Sequence, residues 1–285
     1  MDTSAGRANH KGRLECVINV SEGRDRSLLA ELSASAGSAL LDVHADSAHH
    51  RSVFTLGGPG VEEAARRLAR LAVERLDLSA HRGAHPRTGV VDVVPFVPLG
   101  WRAPFEGGDL GPALQARQAF AAWMARQLEV PCFLYGPERS LPELRRRARG
   151  HGPPDLGPPR PHPTAGATAV GARSLLVAYN LWLARADLSL GRELARDLRS
   201  PQVRALAFEL DGKVQVSTNL LDPLRVGPAA AYDRVAARAQ VERAEVVGLV
   251  PARVLAATPR RRWAELGLDP SLTIEARWEQ GGLPL

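Results

Sequence analysis

One order of hydrophobic patterns runs through this chain twice, and it restricts the fold more than any other feature. Leu14–Val20 reads as a strand, and Asp25–Ala36 as a helix with apolar residues at Leu28, Leu29 and Leu32. Strand patterns at Ala39–Val43 and Ser52–Leu56 flank the polar turn Asp46–Arg51. Val61–Leu76 is amphipathic, with Ala65, Leu68, Ala69, Ala72 and Leu76 on one stripe, and a strand follows at Gly89–Val97. The second half repeats the order: strand Ser174–Asn180, helix Asp187–Leu198, strands Val203–Leu210 and Lys213–Thr218, an Ala-rich helix Gly227–Arg243, and strand Glu245–Val250. Asp211-Gly212 is the strongest hairpin signal in the chain. This reading also has Asn19 and Asn180 closing the first strand of each half. The expectation is an α/β (α+β) protein of two ferredoxin-like βαββαβ subdomains.

Between the repeats lie a helix pattern at Gly111–Leu128, a short strand at Cys132–Tyr135, and a Pro/Gly-rich run over 150–166 that suits no regular element. The run is longer than ordinary connections, a property that favours a functional loop. The expected organisation is a lead-in over 1–13, an N-terminal subdomain over 14–166 carrying the loop 150–166, and a C-terminal subdomain over 167–285. A ligand cleft between the two is the default binding site.

Composition narrows the function classes. With 45% hydrophobic and 24% charged residues, the 285-residue chain has the balance of a globular protein. No apolar run reaches the ~20 residues of a membrane span, and the polar start Met1–Arg13 has no secretory h-region, so a cytoplasmic location is expected and no membrane partner. Net charge is +6 and nearly all the cations are arginine, with lysine only at 11 and 213. Arginine suits carboxylates and phosphates. With 5% aromatics and no basic run interleaved with them, no nucleic-acid partner is expected. The run Arg145-Arg146-Arg147-Ala148-Arg149 reads as a solvated helix end. Cys16 and Cys132 make no disulfide framework, and Cys16 reads as a buried, inert thiol. His81-x-x-x-His85, beside His44, His49 and His50, invites a zinc reading, but Gly83 and Pro86 remove the helix that would align the rings. No metal is expected.

The segment His81-Arg82-Gly83-Ala84-His85-Pro86-Arg87-Thr88-Gly89 is a cationic loop at the lip of a strand, a place to present a general base beside anion-binding groups. It resembles the most distinctive motif of the glutamate formiminotransferase family. Glu15-Cys16-Val17-Ile18-Asn19-Val20-Ser21-Glu22-Gly23 is similar to that family's opening motif. Asp155-Leu156-Gly157-Pro158, the run over 166–173 and the run over 215–222 match in the same order, from about Glu15 to about Val250.

The resemblance implies transfer of a formimino group from N-formimino-L-glutamate to N5 of tetrahydrofolate, in one-carbon metabolism and histidine degradation. It implies two ferredoxin-like halves with folate between them, and a homodimer. The family's catalytic histidine maps to His85, and its folate-contacting loop to Gly157–Gly166, including Pro158, Pro163 and Thr164. Arg51 and Arg87 are candidate clamps for substrate carboxylates or, equally, salt-bridge partners. Asn19 and Asn219 are candidates to orient substrate amides or to cap turns.

The chain also departs from the family. Animal members carry an acidic residue where this chain has Ala84, asparagine at the position of His50 and an acidic residue at that of His44. The segment Pro158–Thr164 lacks the apolar and aromatic residues of the folate site. Two alternatives therefore stay open: a formyl-transfer relative acting on another amine, and a folate- or anion-binding homologue without turnover.

Overall fold

A computed structural model of the protein describes residues 14–84, 87–99, 109–150 and 152–283. The chain divides into two compact units, the first ending at Ser174 and the second beginning at Leu175.

In the first unit, β1 (Leu14–Val20) alternates its side chains across the sheet, so Cys16, Ile18 and Val20 reach the core completely buried. Next come α1 (Arg26–Ala36), β2 (Leu40–Asp46), β3 (Arg51–Gly57), α2 (Val61–Arg75) and β4 (Val91–Pro98). Asp25 caps α1 by accepting from Leu28 N. In α2, Glu62 and Glu63 occupy the first turn and Arg75 the last, matching the helix dipole, while the alanine and leucine stripe is buried. The order β2-β3-β1-β4, with antiparallel pairs, is the ferredoxin-like arrangement expected. Helices α1, α2 and α3 (Gly111–Gln127) cover one face around Phe54, Phe96, Phe120, Leu68 and Met124.

The sheet does not stop at β4. β5 (Cys132–Tyr135) and β6 (Thr168–Ala172) extend it in parallel, with β6 between β4 and β5. This sets the first unit's end eight residues beyond the expected 166 boundary, because the segment after Gly166 is a strand of its sheet. α4 (Leu141–Arg149) lies on the opposite face, packing Leu144 with Val93, Phe133, Tyr135 and Ala169.

The second unit holds β7 (Val177–Leu183), α5 (Leu188–Leu198), β8 (Val203–Leu210), β9 (Lys213–Leu220), α6 (Pro228–Ala236) and β10 (Val241–Val247) in the order β10-β7-β9-β8. It is the same topology again. Asp211 and Gly212 both have positive φ, 48° and 74°, and close the hairpin with Leu210 opposite Lys213. Two expectations need correction. The Ala-rich helix stops at Ala236; of the segment read as its continuation, 237–240 is a turn and 241–243 begins β10, an edge strand whose exposed Glu242 and Arg243 mimic a helix surface. β7 is shifted towards the C-terminus, so Asn180 sits in mid-strand, buried, donating to Glu245. The short helices α7 (Ala252–Ala256) and α8 (Ile274–Gln280) complete the chain.

Candidate active site

The end of β1, the starts of β3 and β4 and the segment leading into β6 meet at one end of the first sheet. The turn 47–50 joins β2 to β3 there, and the cationic loop follows α2. Gly23 lets the chain after β1 close on this turn, since a Cβ would come within 2.2 Å of Asp46 O and 2.6 Å of Arg51 N. Gly83 does the same for the cationic loop, whose backbone rides over His49 O, 2.4 Å from where a Cβ would stand.

Glu22 anchors the turn. Its Oε1 accepts from the amides of Gly23, Arg24 and Asp25, at 2.8, 2.7 and 3.0 Å, and faces His50 Nε2 at 3.2 Å. Burial works against ionisation of Glu22, but those amides and the His50 charge outweigh it and hold the carboxyl below its ordinary value. His50, at φ 49°, donates from Nδ1 to Arg82 O at 3.0 Å and stacks on His81 with ring centroids 4.1 Å apart. His81 Nε2 lies 2.9 Å from His50 O, and Arg87 Nη1 contacts both ring nitrogens of His81, Nδ1 at 2.8 Å and Nε2. Burial lowers the basicity of His81, and the nearby charges of Arg87 and His50 lower it further, against the pull of the His50 carbonyl.

Arg87 clamps the loop, reaching His50 O at 3.2 Å and His49 O at 3.0 Å. Its pKa is pushed down to about 10, first by burial and then by Arg51. Arg51 donates from Nε and Nη2 to Asn19 Oδ1, at 3.1 and 2.7 Å, and from Nη1 to Asp92 Oδ2 at 2.9 Å. Arg51 thus stands in one hydrogen-bonded cluster with Asn19 and Asp92, and Arg87 lies near enough for its charge to be felt.

The Pro/Gly-rich segment closes on the same place. Leu78 N donates to Thr164 O, Val90 N to Ala165 O and Ala167 N to Thr88 O, at 2.7, 2.9 and 2.9 Å. Gly166, at φ 72°, packs where a Cβ would lie 2.3 Å from Thr88 O. Thr164 and Gly166 therefore border the cationic loop directly. Gly157, at φ 93°, sits lower, against Ala125 and Pro131. Pro158 and Pro163 lie between them in the chain. Asn219 is an exposed residue of β9 in the second unit. His85 lies outside the described residues, two positions before Arg87.

Sequence reasoning passed over Asp92 and misread Arg145. The β1–β4 register shifts so that Asn19 faces Val93 but Val20 faces Val91, leaving Asp92 as the extra residue of a bulge. Arg145, expected at a solvated helix end, reaches in to Asp92 Oδ2 at 2.9 Å, and Arg147 binds Asp155 Oδ1 at 3.0 Å. The arginine run serves as a set of anchors on α4, and no periodicity marks which of its members turns inward. Both cysteines are buried, and burial pushes the Cys132 thiol up to about 12. Among the described residues no cluster of three or more His, Cys, Asp or Glu is grouped to hold a metal ion, and no helix is long and apolar enough to cross a membrane.

Known proteins resemble this chain in sequence. The family described as formiminotransferase domain, N-terminal subdomain, matches residues 13–173. The chain is 32% identical to a glutamate formimidoyltransferase of Streptococcus pyogenes, covering 85% of this chain and 90% of that protein. It is likewise 32% identical to a glutamate formimidoyltransferase of Thermoplasma acidophilum, over 94% of this chain and 97% of that one. With the formimidoyltransferase-cyclodeaminase of Sus scrofa it shares 34% identity over 85% of its own length, and it spans 51% of that longer protein.

Proposed function

For this chain, which belongs to the formiminotransferase family, we propose transfer of the formimino group of N-formimino-L-glutamate to N5 of tetrahydrofolate, with His85 as general acid/base. The observation that carries the reading is the near-full-length match to two proteins named glutamate formimidoyltransferase.

The reaction breaks the bond between the formimino carbon and the glutamate nitrogen and forms one to N5, so a proton leaves N5 and another reaches the departing nitrogen. A single histidine serves both transfers near neutral pH, its reference pKa being about 6.5. His85 has the motif position for this role, between the clamped residues His81 and Arg87. Both ring nitrogens of His81 are engaged, by Arg87 and, at Nε2, by His50 O, which argues against it as the base. Arg51 and Arg87 supply positive charge for the donor's carboxylates, and Asn19 orients Arg51. The segment over 157–166 suits the folate co-substrate in part: Thr164 carries a hydroxyl beside His162 Nδ1 at 3.4 Å, on a loop that Gly157 and Gly166 seat against Pro131 and Thr88. It contains no Phe, Tyr or Trp for stacking.

The test is formimino transfer from formiminoglutamate to tetrahydrofolate, followed through chemical conversion to the absorbing methenyl form, for wild type and His85→Gln. Turnover that falls at least about a hundredfold in the variant supports the assignment and the base. Folate binding with no turnover in the wild type overturns the reaction and favours a binding homologue.

A further inference from the structure

Asp92 gathers two guanidinium groups onto one oxygen. Its Oδ2 accepts from Arg51 Nη1 and from Arg145 Nη2, each at 2.9 Å. Its Oδ1 accepts from Thr88 N and Thr88 Oγ1, at 2.8 and 3.1 Å. The Asp92 side chain is 1% exposed, while those of Arg51 and Arg145 are 14% and 19% exposed. The carboxylate is thus spent on partners that hold it, and the arginines keep a path to solvent.

Among the described residues, Arg145 pairs with the Asp92 carboxylate alone and shares it with Arg51, so its guanidinium is only partly neutralised where water is scarce. Such a charge is costly in isolation and is offset when an anion completes the set. Glu22, on the same end of the sheet, does not complete it, being taken up by three amides and His50. Among the described residues, the Arg145 side chain has Asp92 as its hydrogen-bond partner, so most of its planar fork is uncommitted. The fork geometry matches a carboxylate better than any neutral group. The placement is built into the fold: the β4 bulge aims Asp92, and Leu144 seats α4 on the sheet beside it.

Resting on the formimino-transfer reading, we propose that Arg145, held beside Arg51 by Asp92, forms the subsite for one carboxylate of the glutamyl donor. Arg145 is a binding and specificity-determining residue of this reaction, and Asp92 a positioning residue. Neither handles the transferred proton.

The test uses the full chain and three donors: N-formimino-L-glutamate and its two monoamides, one at the α- and one at the γ-carboxylate. Arg145→Ala should raise KM for the diacid about ten- to a hundredfold, the worth of one charge-assisted contact, and more than it lowers kcat. The same substitution should cost little for one of the two monoamides, which identifies the carboxylate held. Asp92→Asn should show the same donor selectivity. An unchanged KM for the diacid, or an equal penalty on all three donors, overturns the subsite. Arg145→Lys carries the test if the alanine variant does not fold, and should recover only part of the loss. Calorimetric binding of L-glutamate separates this proposal from the reaction it rests on. If wild type shows no formimino transfer yet binds glutamate, weaker binding in Arg145→Ala upholds the subsite, and equal binding overturns it.

Discussion

His81 shows how little a residue's type says about its role until its partners are known. In the sequence it is one of two histidines in a cationic loop, either of which has the right chemistry for a base. In the fold Arg87 contacts both of its ring nitrogens, Nε2 also faces the His50 carbonyl, and burial and neighbouring cations lower its pKa. A lowered histidine pKa has a definite consequence for stability. Folded and unfolded states are both neutral above the ordinary value of about 6.5, so His81 costs nothing there. As pH falls from that value through the lower folded one, the unfolded chain takes the proton first and stability is lost. The His81 C–H resonances, followed by NMR, should titrate with a midpoint below 6.5; a midpoint at or above it would contradict the buried, Arg87-clamped ring. Asp92 teaches the complementary lesson. Nothing in a strand-like Val-Val-Asp-Val-Val run distinguishes an outward carboxylate from one buried beneath two arginines.

At the scale of elements, the hydrophobic period located most helices and strands, because their buried faces must repeat with the backbone. It failed where that logic weakens. The first residues of β10, at the sheet edge and with exposed charged side chains, read as the end of the preceding helix. β6 is short and holds Gly171, packed against the Tyr135 ring, and its run of small residues carries no alternation. Turns were legible where a positive φ demands a particular residue. Gly212 and Gly166 make a controlled pair, both with φ near 70° but in different surroundings: open space at Gly212, and the Thr88 carbonyl against Gly166. Gly212→Ala should therefore cost about 1 kcal/mol of unfolding free energy, the left-handed penalty alone. Gly166→Ala should cost about 2 kcal/mol or more, since backbone must also move, and should impair turnover by displacing the loop beside Thr88. Denaturant unfolding of the two variants makes the comparison, and equal losses would mean that Gly166 is not pinned between the loops.

The whole chain carries a net charge of +6, and the proposed site concentrates arginines while its donor is a dicarboxylate. Approach and binding of an anion to such a site weaken with ionic strength, as the screening length falls from about 10 Å at 0.1 M to about 3 Å at 1 M. KM for the donor should rise several-fold from low salt to about 0.5 M sodium chloride while kcat changes little; steady-state kinetics in a salt series checks it, and a flat KM would argue against electrostatic capture. The sequence by itself determined the duplicated βαββαβ order, the asparagine-arginine-glycine vocabulary of the site and the family, because periodicity, turn chemistry and motif are local properties of a chain. Only the tertiary structure decided that β6 extends the first sheet, that the turn 47–50, the cationic loop and Thr164–Gly166 meet at one sheet end, and that Arg145 turns inward to Asp92. Those facts depend on a one-residue bulge and on contacts between residues far apart in the chain, where burial and charge balance choose among side chains that look alike in the sequence.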